Sequence, residues 1–446
     1  MDLNKPKIKL SPPQVLVIGF ATVILMGAIL LSLPAAAADG KPTPFLDALF
    51  TATSAVCVTG LVVVDTGTHY SIFGQLVIMF LIQIGGLGFM TTATLFALLM
   101  GKRIKLKERL IMQEALNQLT MEGVVRLTKY ILIMTFCFEG FGAIVLGLRF
   151  MQDMSPAKAF YYGLFHAVSA FNNAGFDLFG EFRSLTSFAD DVVVNLMIAA
   201  LIIFGGLGFT VLVDIFTRRR WKKFSLHTKL VLTMTTLLLA LGTVSVFALE
   251  YSNDHTLGQL NMGGKLLASF FQSVTPRTAG FNTLNIAELR NATQFLLVIL
   301  MFIGASPGST GGGIKTSTLG TLFVAVWSMI RGDSDVVIFE RRIPKDQVYK
   351  SLTVMFAALT LVIGVSMLLS ITEKAQFLAV LFETTSAFGT VGLSMGLTPE
   401  LSTIGRIVII LTMFMGRVGP LTLAFAIAKK NRGTAFRYAE EKVMVG

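Results

Sequence analysis

The sequence has little charge. Only 14% of its 446 residues are Asp, Glu, Lys or Arg, against about 25% in soluble domains. Too few polar groups remain to cover a soluble fold of this length. Cysteine is also scarce: Cys57 and Cys137 are the only two. Both lie in apolar runs, which excludes a disulfide framework and a CxxC metal site. The histidines His69, His166, His227 and His255 are scattered and form no HExxH. No paired carboxylates and no nucleophile–base set stand at useful spacing, so nothing supports an enzyme embedded in a membrane.

Apolar residues make up 54% of the chain. Runs long enough to cross a bilayer, about 20 residues each, recur along its length, as in a polytopic membrane protein. The first starts within 15 residues of the N-terminus and is followed by many more. It is expected to be a retained helix and not a cleaved signal.

The net charge is +11, and its distribution is uneven. Residues 5–9, 102–129, 218–229, 331–350 and 429–442 hold 26 of the 37 Lys and Arg. By the positive-inside rule these clusters are cytoplasmic, and both termini with them. Topology thus accounts for the basic charge without nucleic acid.

Between consecutive clusters one pattern occurs four times: a long apolar run, a short apolar segment, and a second long run. The segments are residues 14–33, 44–55 and 71–100; then 125–150, 156–170 and 191–216; then 226–249, 257–274 and 292–330; and finally 348–369, 373–387 and 403–428. The short segments cannot span and are expected to be re-entrant. The predicted fold is therefore all-α, with eight transmembrane helices and four re-entrant helices in pseudo-fourfold order. The predicted units are repeat 1 (1–100), repeat 2 with its leading loop (101–216), repeat 3 with a broken second helix (217–330), repeat 4 (331–428) and a cytoplasmic tail (429–446).

Each short segment ends in a similar octet: SAVCVTGL, SAFNNAGF, VTPRTAGF and SAFGTVGL. Their glycines, Gly60, Gly175, Gly280 and Gly392, stand 115, 105 and 112 residues apart. A second motif follows at offsets of 25, 30, 24 and 24: GGLGF from Gly85, GGLGF from Gly205, the stretch from Gly304, and GRVGPL from Gly416. Two motifs in register over four units mark an internal repeat. Four re-entrant helices would aim their C-termini at one point, giving about −2 charges there and favouring a cation. Glycines with positive φ would let backbone carbonyls face that point and replace an ion's hydration shell. The hairpins carry no carboxylate ring of the kind a divalent-cation pore uses. Single glycines could instead serve helix packing, and that reading is preferred for the GGLGF copies at Gly85 and Gly205.

The octets, the GGLGF-type motifs and the four-unit layout resemble the Trk/Ktr/HKT superfamily of potassium transporters, and within it the KtrB branch. The resemblance covers residues 13–432 and implies potassium uptake without a bound cofactor. It implies a filter at Val58, Thr59 and Gly60; Asn173, Ala174 and Gly175; Thr278, Ala279 and Gly280; and Thr390, Val391 and Gly392. Gly60, where some plant relatives have serine, implies potassium over sodium. Pro276, Arg277 and the pair Asn172–Asn173 depart from the pattern. The intramembrane gate maps onto GASPGSTGGGIKTST, residues 304–318: Gly304, Ala305, Ser306, Pro307, Gly308, Ser309, Thr310, Gly311, Gly312, Gly313 and Lys315, with Arg417 facing it. The resemblance also implies a homodimer seated on a cytosolic ring of KtrA-type nucleotide-binding subunits. Residues 102–107 and 218–223 are candidate docking loops, or simply anchors at anionic lipid.

The loop nearly spells a phosphate-binding motif, but Ile314 stands where the lysine must be. Lys315 is expected to snorkel to the cytoplasmic face. Arg417 should face a cavity, the loop, or a carboxylate partner. Glu139 is expected to be buried and hydrogen-bonded. Glu383 is expected to support its hairpin from behind, and Asp47 to offset the start of its helix. An ion-coupled secondary transporter remains the alternative, although such folds usually carry two repeats, often inverted.

Overall fold

The computed structural model describes residues 11–88, 91, 92, 124–419, 422, 441 and 444. The first, second and fifth basic clusters lie wholly or mostly outside these residues, as does the candidate docking loop 102–107. The described residues are overwhelmingly helical, with one two-residue hairpin, β1 (Val337–Ile338) and β2 (Arg341–Arg342), at the fourth basic cluster.

The long outgoing helices are α1 (Pro12–Leu31), α4 (Val124–Phe150), α8 (Leu226–Glu250) and α12 (Lys345–Thr372). At 1.5 Å per residue each is about 30 Å or longer, enough for a bilayer core. All four are long and apolar enough to cross a membrane, and a fifth span counts if one bent pair is taken as one. Their outward faces stay apolar and exposed: Leu25 and Ile29 on α1, Phe141 and Ile144 on α4, Leu241 and Val244 on α8, Ile363 and Met367 on α12. Such faces suit lipid and not water. The protein is thus a multi-pass helical membrane protein.

The short helices are α2 (Phe45–Val56), α5 (Pro156–Phe171), α9 (Met262–Val274) and α13 (Phe377–Gly389). They are the most enclosed elements. Every residue of α2 from Phe50 to its end is buried. The third and fourth begin later than the sequence pattern gave, because Asn261 and Gln376 take the N-cap positions.

The returning segments are α3 (Ile72–Leu87), α6 with α7 (Val192–Leu207 and Phe209–Arg218), α10 with α11 (Asn291–Phe302 and Thr316–Ile330), and α14 (Thr403–Val418). Each start is tied to the end of its own outgoing helix. Ser71 Oγ donates to the Ala35 carbonyl at 2.6 Å. Arg149 Nε lies 2.5 Å from Asp191, whose other oxygen caps α6. Glu250 accepts from Arg290 N at 2.9 Å and Thr293 Oγ1 at 2.5 Å. Glu373 accepts from Ser402 N at 2.9 Å and Oγ at 2.6 Å. The chemistry differs in each unit, but the join is the same.

The continuous second helices expected over 71–100, 191–216 and 403–428 are not what forms. Helices α3, α6 and α14 stop at Gly88, Gly208 and Gly419, with φ of 80°, 93° and 89°. This left-handed backbone ends an α-helix, and α6 and α7 consequently meet at a 96° bend. Beyond Gly88 and Gly419 most of the expected run lies outside the described residues. The third segment is interrupted at residues 303–315, as expected.

Candidate functional site

The four octets form tight hairpins at the ends of α2, α5, α9 and α13. In each, two residues take positive φ. One is the motif glycine, at 92° for Gly60, 71° for Gly175, 81° for Gly280 and 94° for Gly392. The other stands two residues earlier: Val58 (51°), Asn173 (56°), Thr278 (68°) and Thr390 (50°). Three of these four are β-branched, for which positive φ is a genuine outlier. Strain of this kind persists only where surrounding structure enforces it, and it clusters at functional sites. The glycine signal is readable in the sequence. The second position is not, because nothing in a valine or threonine announces left-handed backbone.

Hydroxyl groups at the head of each hairpin enforce it. Ser54 Oγ accepts from Gly60 N at 3.0 Å, and Ser386 Oγ accepts from Gly392 N at 3.1 Å. Ser169 Oγ donates to the Phe176 carbonyl at 2.7 Å, and Thr275 Oγ1 to the Phe281 carbonyl at 2.5 Å. The recurring Ser or Thr in the octets is the signal in the sequence that marks these residues, and the glycine pattern alone does not include them. Three residues before each hydroxyl stand Thr51, His166, Gln272 and Glu383, all of them buried. Among the described residues the Gln272 amide has no partner, whereas Thr51, His166 and Glu383 are hydrogen-bonded. Glu383 is the best connected. It accepts from Ser394 Oγ at 2.5 Å, Met395 N at 3.0 Å and Thr398 Oγ1 at 2.7 Å, and so holds the chain leaving the fourth hairpin.

The hairpins close into a ring. A Cβ placed on Gly60 would press on the Ala174 carbonyl oxygen, and one on Gly175 on that of Ala279. Likewise Gly280 would meet the Val391 oxygen, and Gly392 the Thr59 oxygen. Each glycine thus leaves room for the carbonyl of the next hairpin, and the fourth returns to the first. Thr59 and Gly60, Ala174 and Gly175, Ala279 and Gly280, and Val391 and Gly392 are brought together, with Val58, Asn173, Thr278 and Thr390 just before them in the same hairpins. No side chain could be added at any of the four glycines without moving backbone.

The GGLGF-type motif does two jobs. Gly85, Gly205 and Gly416 leave no space for a Cβ against the carbonyls of Val56, Phe171 and Phe388 at the ends of the re-entrant helices. This is the close packing expected of the Gly85 and Gly205 copies, and Gly416 shares it. Three residues further on, Gly88, Gly208 and Gly419 break the helices.

Residues 304–315 lie against the ring from one side. Ser306 N donates to Gly206 O at 3.0 Å, and Phe209 N to Gly308 O at 2.9 Å. Thr310 Oγ1 donates to Asn173 Oδ1 at 2.9 Å, and Gly312 N to Thr390 Oγ1 at 3.1 Å. Gly311 sits against Thr278 Oγ1. The loop therefore touches the left-handed residue of three of the four hairpins. Ser306 Oγ meets Thr316 Oγ1 at 2.8 Å, and Ser309 Oγ donates to Ser306 O at 2.6 Å. Ala305 is buried, and Gly304 and Gly313 pack backbone on backbone.

Lys315 does not snorkel. Its Nζ folds back to the carbonyls of Gly311 at 2.8 Å and Gly312 at 3.3 Å. Arg417 finds no carboxylate partner among the described residues. Its guanidinium donates to the carbonyl of Thr310 in the loop and to that of Gly85 in α3. Glu139 is buried and accepts from Asn172 Nδ2 at 2.8 Å and Gln83 Nε2 at 3.3 Å. Asp47 stands in the first turn of α2, as expected, and also pairs with Arg406 at 2.5 Å.

A multi-pass helical protein that encloses a ring of strained backbone, with a polar loop packed against it, has the makings of a transport protein. The chain belongs to the TrkH family, described as cation transport proteins, whose model matches residues 12–438. It is similar to the Ktr system potassium uptake protein B of Bacillus subtilis, at 50% identity over 100% of both chains. The protein of the same name from Vibrio alginolyticus is 42% identical over 100% of this chain and 97% of its own. The potassium/sodium uptake protein NtpJ of Enterococcus hirae is 43% identical over 100% of both. Among solved structures, the potassium transporter TrkH from Vibrio parahaemolyticus matches in fold. Its TM-score is 0.74 at 18% identity, covering 95% of this chain and 86% of that one.

Proposed function

We propose that this chain takes up potassium across the cell membrane through the hairpin ring, acting as a filter of backbone carbonyls. The observation that carries the reading is the closed sequence of contacts in which each hairpin glycine faces the next hairpin's carbonyl. Four re-entrant helices end at the ring, and their C-terminal dipoles add about −2 charges. A dehydrated monovalent cation meets a matching field there. The four units then form a pseudo-fourfold pore of eight spans, each returning span bent or broken at its glycine, with both termini in the cytoplasm of a bacterial cell. Residues 304–315 act as the gate, held shut by Arg417 and by Thr310, Gly312 and Lys315. The full system is a homodimer of such chains on a soluble nucleotide-binding regulatory ring. The Ktr-system names of the relatives support that partner class.

Flux through the purified full-length chain in liposomes tests this. Potassium should pass in preference to sodium, and a cytosolic partner should raise the rate. Current that reverses away from the potassium equilibrium would replace the pore with a coupled carrier. The potassium/sodium name of the Enterococcus relative makes sodium the ion to vary in that assay.

A further inference from the structure

Behind the third hairpin lies a small, largely enclosed cavity of about 10 Å³, room for one small occupant. Arg277, Thr235, Val274, Ile202, Gly206 and the loop residue Ala305 line it. Arg277 is buried, and among the described residues its Nη1 has no hydrogen-bond partner. Thr235 is buried as well, and its Oγ1 is likewise unpartnered among them. No ion pair among the described residues includes Arg277.

A guanidinium carries its proton under all ordinary conditions and only donates. Buried charges in proteins are paired, and each donor needs an acceptor. The positive charge stands next to Thr278 in the chain, in the ring itself, where it opposes a cation. A neutral water would meet the hydrogen-bonding need but leave that charge. A small anion meets both needs. The small size of the cavity favours a monatomic anion over phosphate, sulfate or a lipid headgroup.

We infer that this cavity is a binding site for a single monatomic anion of the chloride class, held between Arg277 and Thr235. The anion converts Arg277 into half of a neutral pair behind the third hairpin. Because Ala305 forms part of the wall, movement of residues 304–315 opens or reshapes the site. The inference stands apart from the filter reading, since its readouts are anion binding and stability and not potassium flux.

The test uses the full-length protein in detergent or nanodiscs. Crystals grown in bromide should show an anomalous peak within hydrogen-bonding distance of Arg277 and Thr235. In a gluconate background the melting temperature should rise with added chloride. Arg277→Gln should abolish that rise. Thr235→Val, which keeps the charge and removes one donor, should weaken the chloride midpoint roughly 2–10-fold. A cavity without a bromide peak, or a chloride-independent melting temperature, overturns the inference in favour of an ordered water. A chloride response that survives Arg277→Gln places the anion elsewhere and overturns it too. If Arg277→Gln does not fold, an unchanged midpoint in Thr235→Val overturns it equally.

Discussion

The hairpin ring and the loop packed against it are built from similar residues but held in opposite ways. The ring is made four times over. Each quarter has two positive-φ residues at matching positions, a Ser or Thr hydroxyl at its head, and a neighbour whose carbonyl fills the space left by its glycine. The loop is made once, and its partners are all different: carbonyls of α6, Asn173, Thr390, its own Lys315, and Arg417 from the last returning helix. Strain locked by repetition suits a part whose dimensions must not change. A glycine-rich segment held by a handful of separate hydrogen bonds suits a part that exchanges them. Its net hold is modest, because each bond contributes about 0.5–1.5 kcal/mol, and those to charged groups about 1.5–3.

This contrast predicts that ring substitutions change which ion passes, while loop substitutions change how often any ion passes. The largest effect belongs to Gly175→Ser. Its φ of 71° costs an L-residue about 1–2 kcal/mol, and its Cβ would sit 2.6 Å from the Ala279 oxygen. The ratio of potassium to sodium flux should fall on the order of 100-fold. Ratios measured in liposomes under bi-ionic conditions decide this, and an unchanged ratio would remove the ring from the filter role.

Next comes deletion of Gly311 to Gly313. It takes away the Gly312 bond to Thr390 and both Lys315 acceptors. Basal potassium flux without any partner should rise roughly 10–100-fold, with the ion ratio intact. Unchanged flux would make the segment a static packing loop. Arg417→Gln should act in the same direction and less strongly, about 10-fold. It loses the charge-assisted bonds to Thr310 and Gly85 but can keep one neutral bond. Reduced basal flux in this variant would instead assign Arg417 to conduction.

How much of this is legible in the sequence divides along the same line. Repetition makes the ring readable: four octets in register point to the re-entrant helices, the four glycines and their convergence. What stays hidden is conformational. Val58, Thr278 and Thr390 carry no mark of their left-handed φ, because tertiary contacts impose it against their preference. Gly88 and Gly208 look like more of the packing glycines beside them, so the sequence pattern does not show the breaks in the first and second returning segments, whereas Pro420 after Gly419 is a helix-ending signal for the fourth. The loop, present once, is legible in its position and in its contact with Arg417, but not in its other partners. The expectation for Lys315 points to the wrong surface, since pattern alone does not reveal that a chain will fold its own carbonyls around an ammonium.

The hidden breaks also sharpen what is special about the third quarter. It is not interruption, which the others share, but inserted length. Gly208 tests this, because its break cradles the loop. A Cβ there would sit 2.6 Å from the Pro307 oxygen, and the next residue, Phe209, donates to Gly308. If the break is a fixed seat, Gly208→Ala should cost about 1–2 kcal/mol of stability through its φ and raise basal flux only about 2–5-fold through the displaced loop. Thermal melting and liposome flux on the same preparation separate the two effects. An increase in flux as large as that of the three-glycine deletion would mean that α6 and α7 bend during opening. The moving part would then comprise two quarters, and the ring alone would be rigid.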